Sequence, residues 1–184
     1  MEAHSESFSR TGASGSSKRG TPGTGAQILG LLVLLGASFA VAAIGGLSSA
    51  SNVDGWYVTA DKAPWSPPNW LFGPAWTFLY TAMAVAAWLV WRTRDRRAPK
   101  ALKVYAVQLT LNFLWTPVFF GLYPFLGSAA LWIALLIIVS LIGAIIWTIA
   151  LFRPISGWAG ILLVPYLAWV LFATTLNAWM AFNN

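Results

Sequence analysis

Long uncharged stretches, each about the length of a membrane crossing and separated by short polar breaks, dominate the chain. Residues 26–50 are nearly all apolar or small, and no charge occurs between Arg19 and Asp54. As a helix rising 1.5 Å per residue those 25 residues reach about 37 Å, enough to cross a hydrocarbon core of about 30 Å. A cleaved signal peptide would also follow Lys18 and Arg19, but its apolar run is usually about 7–15 residues, so the length predicts a retained helix. Segment 54–68, with two Asp, one Lys and three Pro, reads as an ordered loop.

A second helix is predicted over about 68–91, because Pro67 and Pro68 suit a first helical turn, where a missing N–H costs nothing. It stops at the basic run 92–97. Residues 104–152 carry no charge, yet 49 residues would make one helix of about 73 Å, far too long for a single crossing. The break Gly121-Leu-Tyr-Pro-Phe-Leu-Gly127 divides them into helices over about 102–122 and 127–152. Arg153-Pro154 closes the fourth helix, and 155–182 gives a fifth. The predicted class is an all-α integral membrane protein, a five-transmembrane-helix bundle over 26–184 with a 51–67 loop. The tail 1–25, rich in Ser, Gly and Thr, cannot bury enough apolar surface to offset its ordering entropy and is read as disordered.

The distribution of charge tests this count. Alternating five helices put Arg10, Lys18, Arg19, Arg92, Arg94, Arg96, Arg97, Lys100, Lys103 and Arg153 on one side, ten of the eleven basic residues. Lys62 alone falls on the other. The positive-inside rule then places the N-terminus in the cytoplasm, with the 51–67 loop and the C-terminus outside. The net charge of +6 therefore orients helices, and a nucleic-acid partner is not expected.

Composition narrows the chemistry. Apolar residues make up 58% and charged residues 9%, too few charges to cover a soluble surface. There is no Cys, and the only His is His4 in the tail, so disulfides, thiolate or His metal sites, His-based triads and His-ligated haem are excluded. Apart from Lys103 at the edge of the third, no Asp, Glu, Lys, Arg or His falls inside the five spans, which argues against an ion pump. Asp54 and Asp61 share the loop and read as helix-end and turn residues rather than a catalytic pair.

Aromatic and polar residues instead recur at helical spacing. Trp76, Tyr80 and Met83 share one face of the second helix, and Gln108, Asn112 and Trp115 one face of the third. Trp169, Ala173 and Leu176 share one face of the fifth, with Tyr166 a turn earlier and Asn177 alongside. Two readings stand at this point. The amides bond neighbouring helices and do nothing else, or the stripes line a cavity inside the bundle. Small residues (Gly36, Ala37, Ala40, Ala43, Ala82, Ala86) are read as close-packing positions and secondarily as a dimer surface.

Assembled in order, these motifs resemble the TspO/MBR family of tryptophan-rich sensory proteins and translocator proteins. The matching stretches are Trp56-Tyr57, Lys62, Trp65-Ser-Pro-Pro-Asn-Trp70, and Phe72-Gly-Pro-Ala-Trp-Thr-Phe-Leu-Tyr80 with Met83. They continue with Gln108-Leu-Thr-Leu-Asn112 through Trp115, Pro117 and Phe119-Phe-Gly121, and Pro165-Tyr-Leu-Ala-Trp169 through Leu176-Asn177. The resemblance implies a homodimer in a bacterial cytoplasmic membrane and a pocket for porphyrins, closed over by the first loop. By motif position it assigns the pocket to Phe72, Gly73, Trp76, Tyr80, Asn112, Trp115, Trp169, Ala173 and Leu176, and the lid to Trp56, Lys62 and Trp65. Trp76 and Trp169 occupy the positions linked in bacterial relatives to light-dependent breakdown of bound protoporphyrin; no other catalytic role is implied. The expected ligand is protoporphyrin, or a haem held without strong axial ligands, and no covalent cofactor is expected. Tetrapyrrole handling, transport or sensing is the implied role, with a carrier of small amphiphilic solutes or a protoporphyrin-degrading protein as the alternatives. The sequence departs from the family at Ala63 and Ala84, where Pro and Gly are usual. It also lacks the Tyr-plus-basic motif that follows Leu176-Asn177 in animal relatives, so sterol import is the least supported family function.

Overall fold

The computed structural model describes residues 21–184, and five of its helices are long and apolar enough to cross a membrane. Residues 1–20, with His4, Arg10, Lys18 and Arg19, lie outside the described residues. Helix 1 is Thr24–Val53, helix 2 Phe72–Arg92, helix 3 Ala98–Thr116 and helix 4 Ser128–Phe152. Helix 5 comes in two segments, Gly157–Leu162 and Val164–Asn183. Among the described residues there is no strand.

Prolines explain where the bounds depart from the pattern-based expectation. Pro68 is extended (ψ 144°), a 3₁₀ turn Asn69–Leu71 follows it, and helix 2 opens at Phe72 rather than at 68. Helix 3 opens at Ala98 rather than at 102, because Pro99 fits its first turn. Its far end passes into a π-helical turn, Pro117–Gly121, where Pro117 has no N–H for the α-helical ladder. Pro165 likewise opens the second segment of helix 5 after a break at Leu163. The expected turn before helix 4 contains a short helix, Tyr123–Leu126, and Gly127 at φ 57°, ψ −140°, a conformation open to glycine.

Helix 1 packs on helices 2 and 3, helix 3 on helix 4, helix 4 on helix 5, and helix 5 on helix 2, closing a ring in the order 1–2–5–4–3. Helices 2 and 3 also meet across its centre. One end of the bundle, the basic end, carries Arg92, Arg94, Arg96, Arg97, Lys100, Lys103 and Arg153, and Arg97 Nη2 donates to the Pro154 carbonyl (3.0 Å) to join its two turns. The other, the loop end, carries the 54–68 loop, the 121–127 turn and the last turn of helix 5. There Trp56 Nε1 donates to the Phe120 carbonyl (2.9 Å), and Asn184 exchanges two hydrogen bonds with the Asp61 backbone (2.9 and 3.0 Å).

Large apolar side chains such as Leu47, Leu136, Val139 and Trp147 face outwards, the arrangement expected when the surrounding solvent is lipid. Helix 1 packs differently from its small-residue pattern: Gly36, Ala37, Ala40 and Ala43 are exposed. Gly30 makes the close approach instead, its Cα so near the Trp91 ring that a Cβ would lie 2.5 Å from a ring carbon.

Candidate functional site

A cavity of about 430 Å³ occupies the loop-end half of the bundle. Helix 2 supplies Phe72, Gly73, Trp76, Thr77 and Tyr80 to its wall, and helix 5 supplies Trp169, Ala173, Leu176, Asn177 and Met180. Spacings of three and four residues put each set on one helical face. Helix 3 contributes Trp115 and Thr116, the π-helical turn Phe119 and Phe120, and helix 1 Phe39, Ala42, Gly45, Gly46, Ser49 and Val53. Helix 4 contributes nothing. Among the described residues no Asp, Glu, Lys, Arg or His lines the wall.

Hydrogen bonds and ring contacts fix this lining. Trp115 stacks on Phe119 (centroids 5.3 Å apart) and its Nε1 donates to Asn177 Oδ1 (3.1 Å), while Asn177 Nδ2 donates to the Leu131 carbonyl of helix 4 (3.0 Å). Trp76 lies tilted against Tyr80 at 5.4 Å. Tyr80 forms the floor: its hydroxyl donates to Asn112 Oδ1 (2.6 Å), and Asn112 Nδ2 donates to the Tyr166 hydroxyl (3.0 Å). These three buried groups join helices 2, 3 and 5. Such bonds contribute about 0.6–2 kcal/mol each in lipid, and leaving any member unpaired there costs more than the bond contributes.

The structure therefore realises both readings of the polar stripes, at different depths. Trp76, Tyr80, Trp115, Trp169, Ala173 and Leu176 converge on one cavity with Phe72 and Gly73. Asn112 does not line it; fully engaged beneath Tyr80, it is interhelical glue. Three loop residues also sit off the wall. Trp56 stacks on Tyr123 (3.8 Å), Trp65 packs edge-on to Trp179 and donates to Thr175 Oγ1, and Lys62 Nζ lies 5.0 Å from the centre of the Tyr57 ring. The loop residue that does reach the wall is Tyr57, whose burial raises its phenol pKa above the ordinary value of 10.0. Helix 1 forms part of the wall although its small residues at 36, 37, 40 and 43 do not line it. The signal lay on the opposite face, in the three- and four-residue spacing of 39, 42, 46, 49 and 53.

A sequence profile described as the TspO/MBR family matches residues 32–182, a stretch that contains the whole cavity wall. The chain belongs to the TspO/MBR family. It is 38% identical over 151 residues to the tryptophan-rich protein TspO of Archaeoglobus fulgidus, covering 82% of this chain and 94% of that one. It is 41% identical over 124 residues to the tryptophan-rich sensory protein of Cereibacter sphaeroides (67% and 73% covered). Human translocator protein is 39% identical over 125 residues (66% and 70% covered). This TspO/MBR chain is thus an integral, multi-pass membrane protein.

The chemistry open to the cavity follows from its wall. Among the described residues no three His, Cys, Asp or Glu come together to hold a metal ion, and the wall has no His or Cys to ligate a haem iron and no proton-transfer pair. It offers flat aromatic faces, a few hydroxyl and amide groups, and a volume within the range of small-molecule sites.

Proposed function

We propose that this TspO/MBR protein binds a porphyrin-like tetrapyrrole in its loop-end cavity and serves in tetrapyrrole handling, transport or sensing. One observation carries the reading: Trp76, Trp115 and Trp169, from three different helices, line a single uncharged cavity. A porphyrin is a flat apolar disc with a polar edge, and indole faces stack on such a surface. The wall has no His or Cys to ligate an iron, which favours the metal-free form or a haem held by its faces. In this reading Lys62, beside Tyr57 at the loop end, meets a propionate of the bound ligand.

Titrating protoporphyrin into the detergent-solubilised protein while following Trp fluorescence tests this. Saturable quenching with a Kd in the micromolar range or tighter is expected; a flat or linear response would overturn it. The reading extends to a homodimer in a bacterial cytoplasmic membrane with the basic end in the cytoplasm, supported by the positive-inside rule and by the outward small-residue face of helix 1. The chain has no cysteine, so single cysteines replacing Lys62 or Arg94 report sidedness cleanly. Only the former should react with an impermeant reagent from outside, and the mass of the solubilised particle tests the dimer.

A further inference from the structure

Helices 2 and 5 form one seam in the wall of the cavity. Helix 2 lies closely against the Gly157–Leu162 segment of helix 5 but only touches the Val164–Asn183 segment, so toward the loop end the two backbones part. An apolar groove of about 460 Å³ opens on the outer side of this seam, lined by Ala75, Phe78, Pro165, Ala168 and Phe172. Trp169 lines both the groove and the cavity, and is the one side chain that borders the two. Its ring lies 5.9 Å from Phe72 and 5.9 Å from Phe172, ring contacts with no directional bond.

Trp169, like Trp179, differs in its hydrogen bonding from the indoles that hold the bundle together. Trp56, Trp65, Trp88 and Trp115 each donate to a protein acceptor at 2.9–3.2 Å. Trp169 Nε1 is buried and has no acceptor. A buried donor without a partner costs about 1–3 kcal/mol, which is a bias toward any rotamer that finds one. Pro165, four residues earlier, lies in the first turn of the Val164–Asn183 segment, just after the break at Leu163.

From this we propose that the seam between helices 2 and 5 is a lateral portal, with the Trp169 ring as its gate, through which a flat amphiphilic ligand passes between the bilayer and the cavity. The inference rests on the binding function proposed above. It predicts that passage does not require the 54–68 loop to leave the bundle. A molecule with the apolar face of a porphyrin partitions into lipid, and in this groove the lipid meets a ring that also lines the cavity.

The test uses the full chain in vesicles, with protoporphyrin as the probe and stopped-flow Trp quenching as the readout. Ala75→Leu with Ala168→Leu narrows the groove from outside without touching the cavity wall. Association and dissociation should both slow about tenfold while Kd stays within about twofold, the signature of a hindered path rather than a damaged site. Asn184→Ala, which removes the side-chain bonds to Asp61, should leave both rates unaltered. If the double variant does not fold, Ala168→Leu alone suffices, because Ala168 is exposed on the outer face and should still slow both rates. Unaltered rates in the groove variants, or faster rates in Asn184→Ala alone, would overturn the portal. Loss of saturable quenching in the unsubstituted protein is a different result, and it would remove the binding function itself.

Discussion

Helix 2 changes character along its length. Over 83–90 it presents Met83, Ala84, Ala86, Ala87 and Val90 to its neighbours, all with no exposed surface, whereas over 72–80 it presents Phe72, Trp76 and Tyr80 to a cavity. The same division runs through the bundle. Toward the basic end small side chains such as Ala98, Ala101 and Ala159 let backbones close on one another, with Tyr105 and Phe152 filling what remains. Toward the loop end Trp115, Phe119, Phe120 and Trp169 hold the helices apart. Trp115, stacked on Phe119 and bonded to the Asn177 side chain, cannot also fold inward to fill the space it helps create. One fold thus holds a closed half and a hollow half, and residue size decides which is which.

A pair of matched substitutions gives the sharpest break. Ala86→Phe inserts a ring where nothing is exposed and should cost about 3 kcal/mol or prevent folding, since overpacked cores commonly lose 1–3 kcal/mol for a few methylenes. Ala173→Phe adds the same ring at the cavity wall, where there is room for it. Its stability should stay within about 0.5 kcal/mol of the unsubstituted protein. Protoporphyrin affinity should fall by more than about tenfold, a change of about 1.4 kcal/mol. Denaturation in detergent and the quenching titration measure the two quantities. Equal destabilisation by both would mean that the halves do not differ.

Much of this division was legible in the sequence. Uncharged runs of membrane length fixed five spans, and three- and four-residue spacing put Trp76 with Tyr80 and Trp169 with Ala173 on common faces. What periodicity could not supply was depth. Asn112 and Trp115 lie on one face of helix 3, yet Asn112 is consumed by two hydrogen bonds and Trp115, one turn on, meets the cavity. Loop residues were harder still: no repeat relates Trp56, Lys62 and Trp65 to a wall. Tyr57 reaches it because Trp56, its neighbour, is drawn away by Phe120 and Tyr123. Helix ends were misjudged where a proline could either begin a helix or precede one, as at Pro68.

The boundary between the halves is polar, and two amides on helix 3 sharpen it. Asn112→Leu leaves the Tyr80 hydroxyl without its acceptor and the Tyr166 hydroxyl without its donor, and should cost about 1–2 kcal/mol. Gln108, one turn toward the closed half, touches only Met83 Sδ through Nε2 at 3.9 Å, and its Oε1 is buried without a partner. Gln108→Met keeps the shape and removes the orphaned oxygen, so it should be neutral or stabilising. A larger loss at Gln108 than at Asn112 would show that the polar layer sits deeper than the cavity floor.

The smallest effects come from titrating one group at each end. At the basic end Asp95 accepts hydrogen bonds from the Arg97 guanidinium (2.7 and 3.0 Å) and its backbone N–H (2.8 Å), which lower its pKa from 3.8 to about 2. The folded state prefers the carboxylate, so this contribution is present above pH 3.8 and is lost as pH falls toward 2. At the loop end burial raises the Tyr57 pKa. The folded state there prefers the neutral phenol, so stability is unaffected below pH 10 and declines as pH rises beyond it. Asp95→Asn should shrink the acid limb of a melting-temperature profile and Tyr57→Phe should lessen the alkaline one. Salt separates them, because the Asp95–Arg97 pair is solvent-facing and a Debye length of about 10 Å at 0.1 M screens it, while the cost of ionising buried Tyr57 arises from lost hydration. Raising ionic strength should therefore flatten the acid limb and leave the alkaline limb in place; if both flatten together, Tyr57 is not buried against the cavity wall as described.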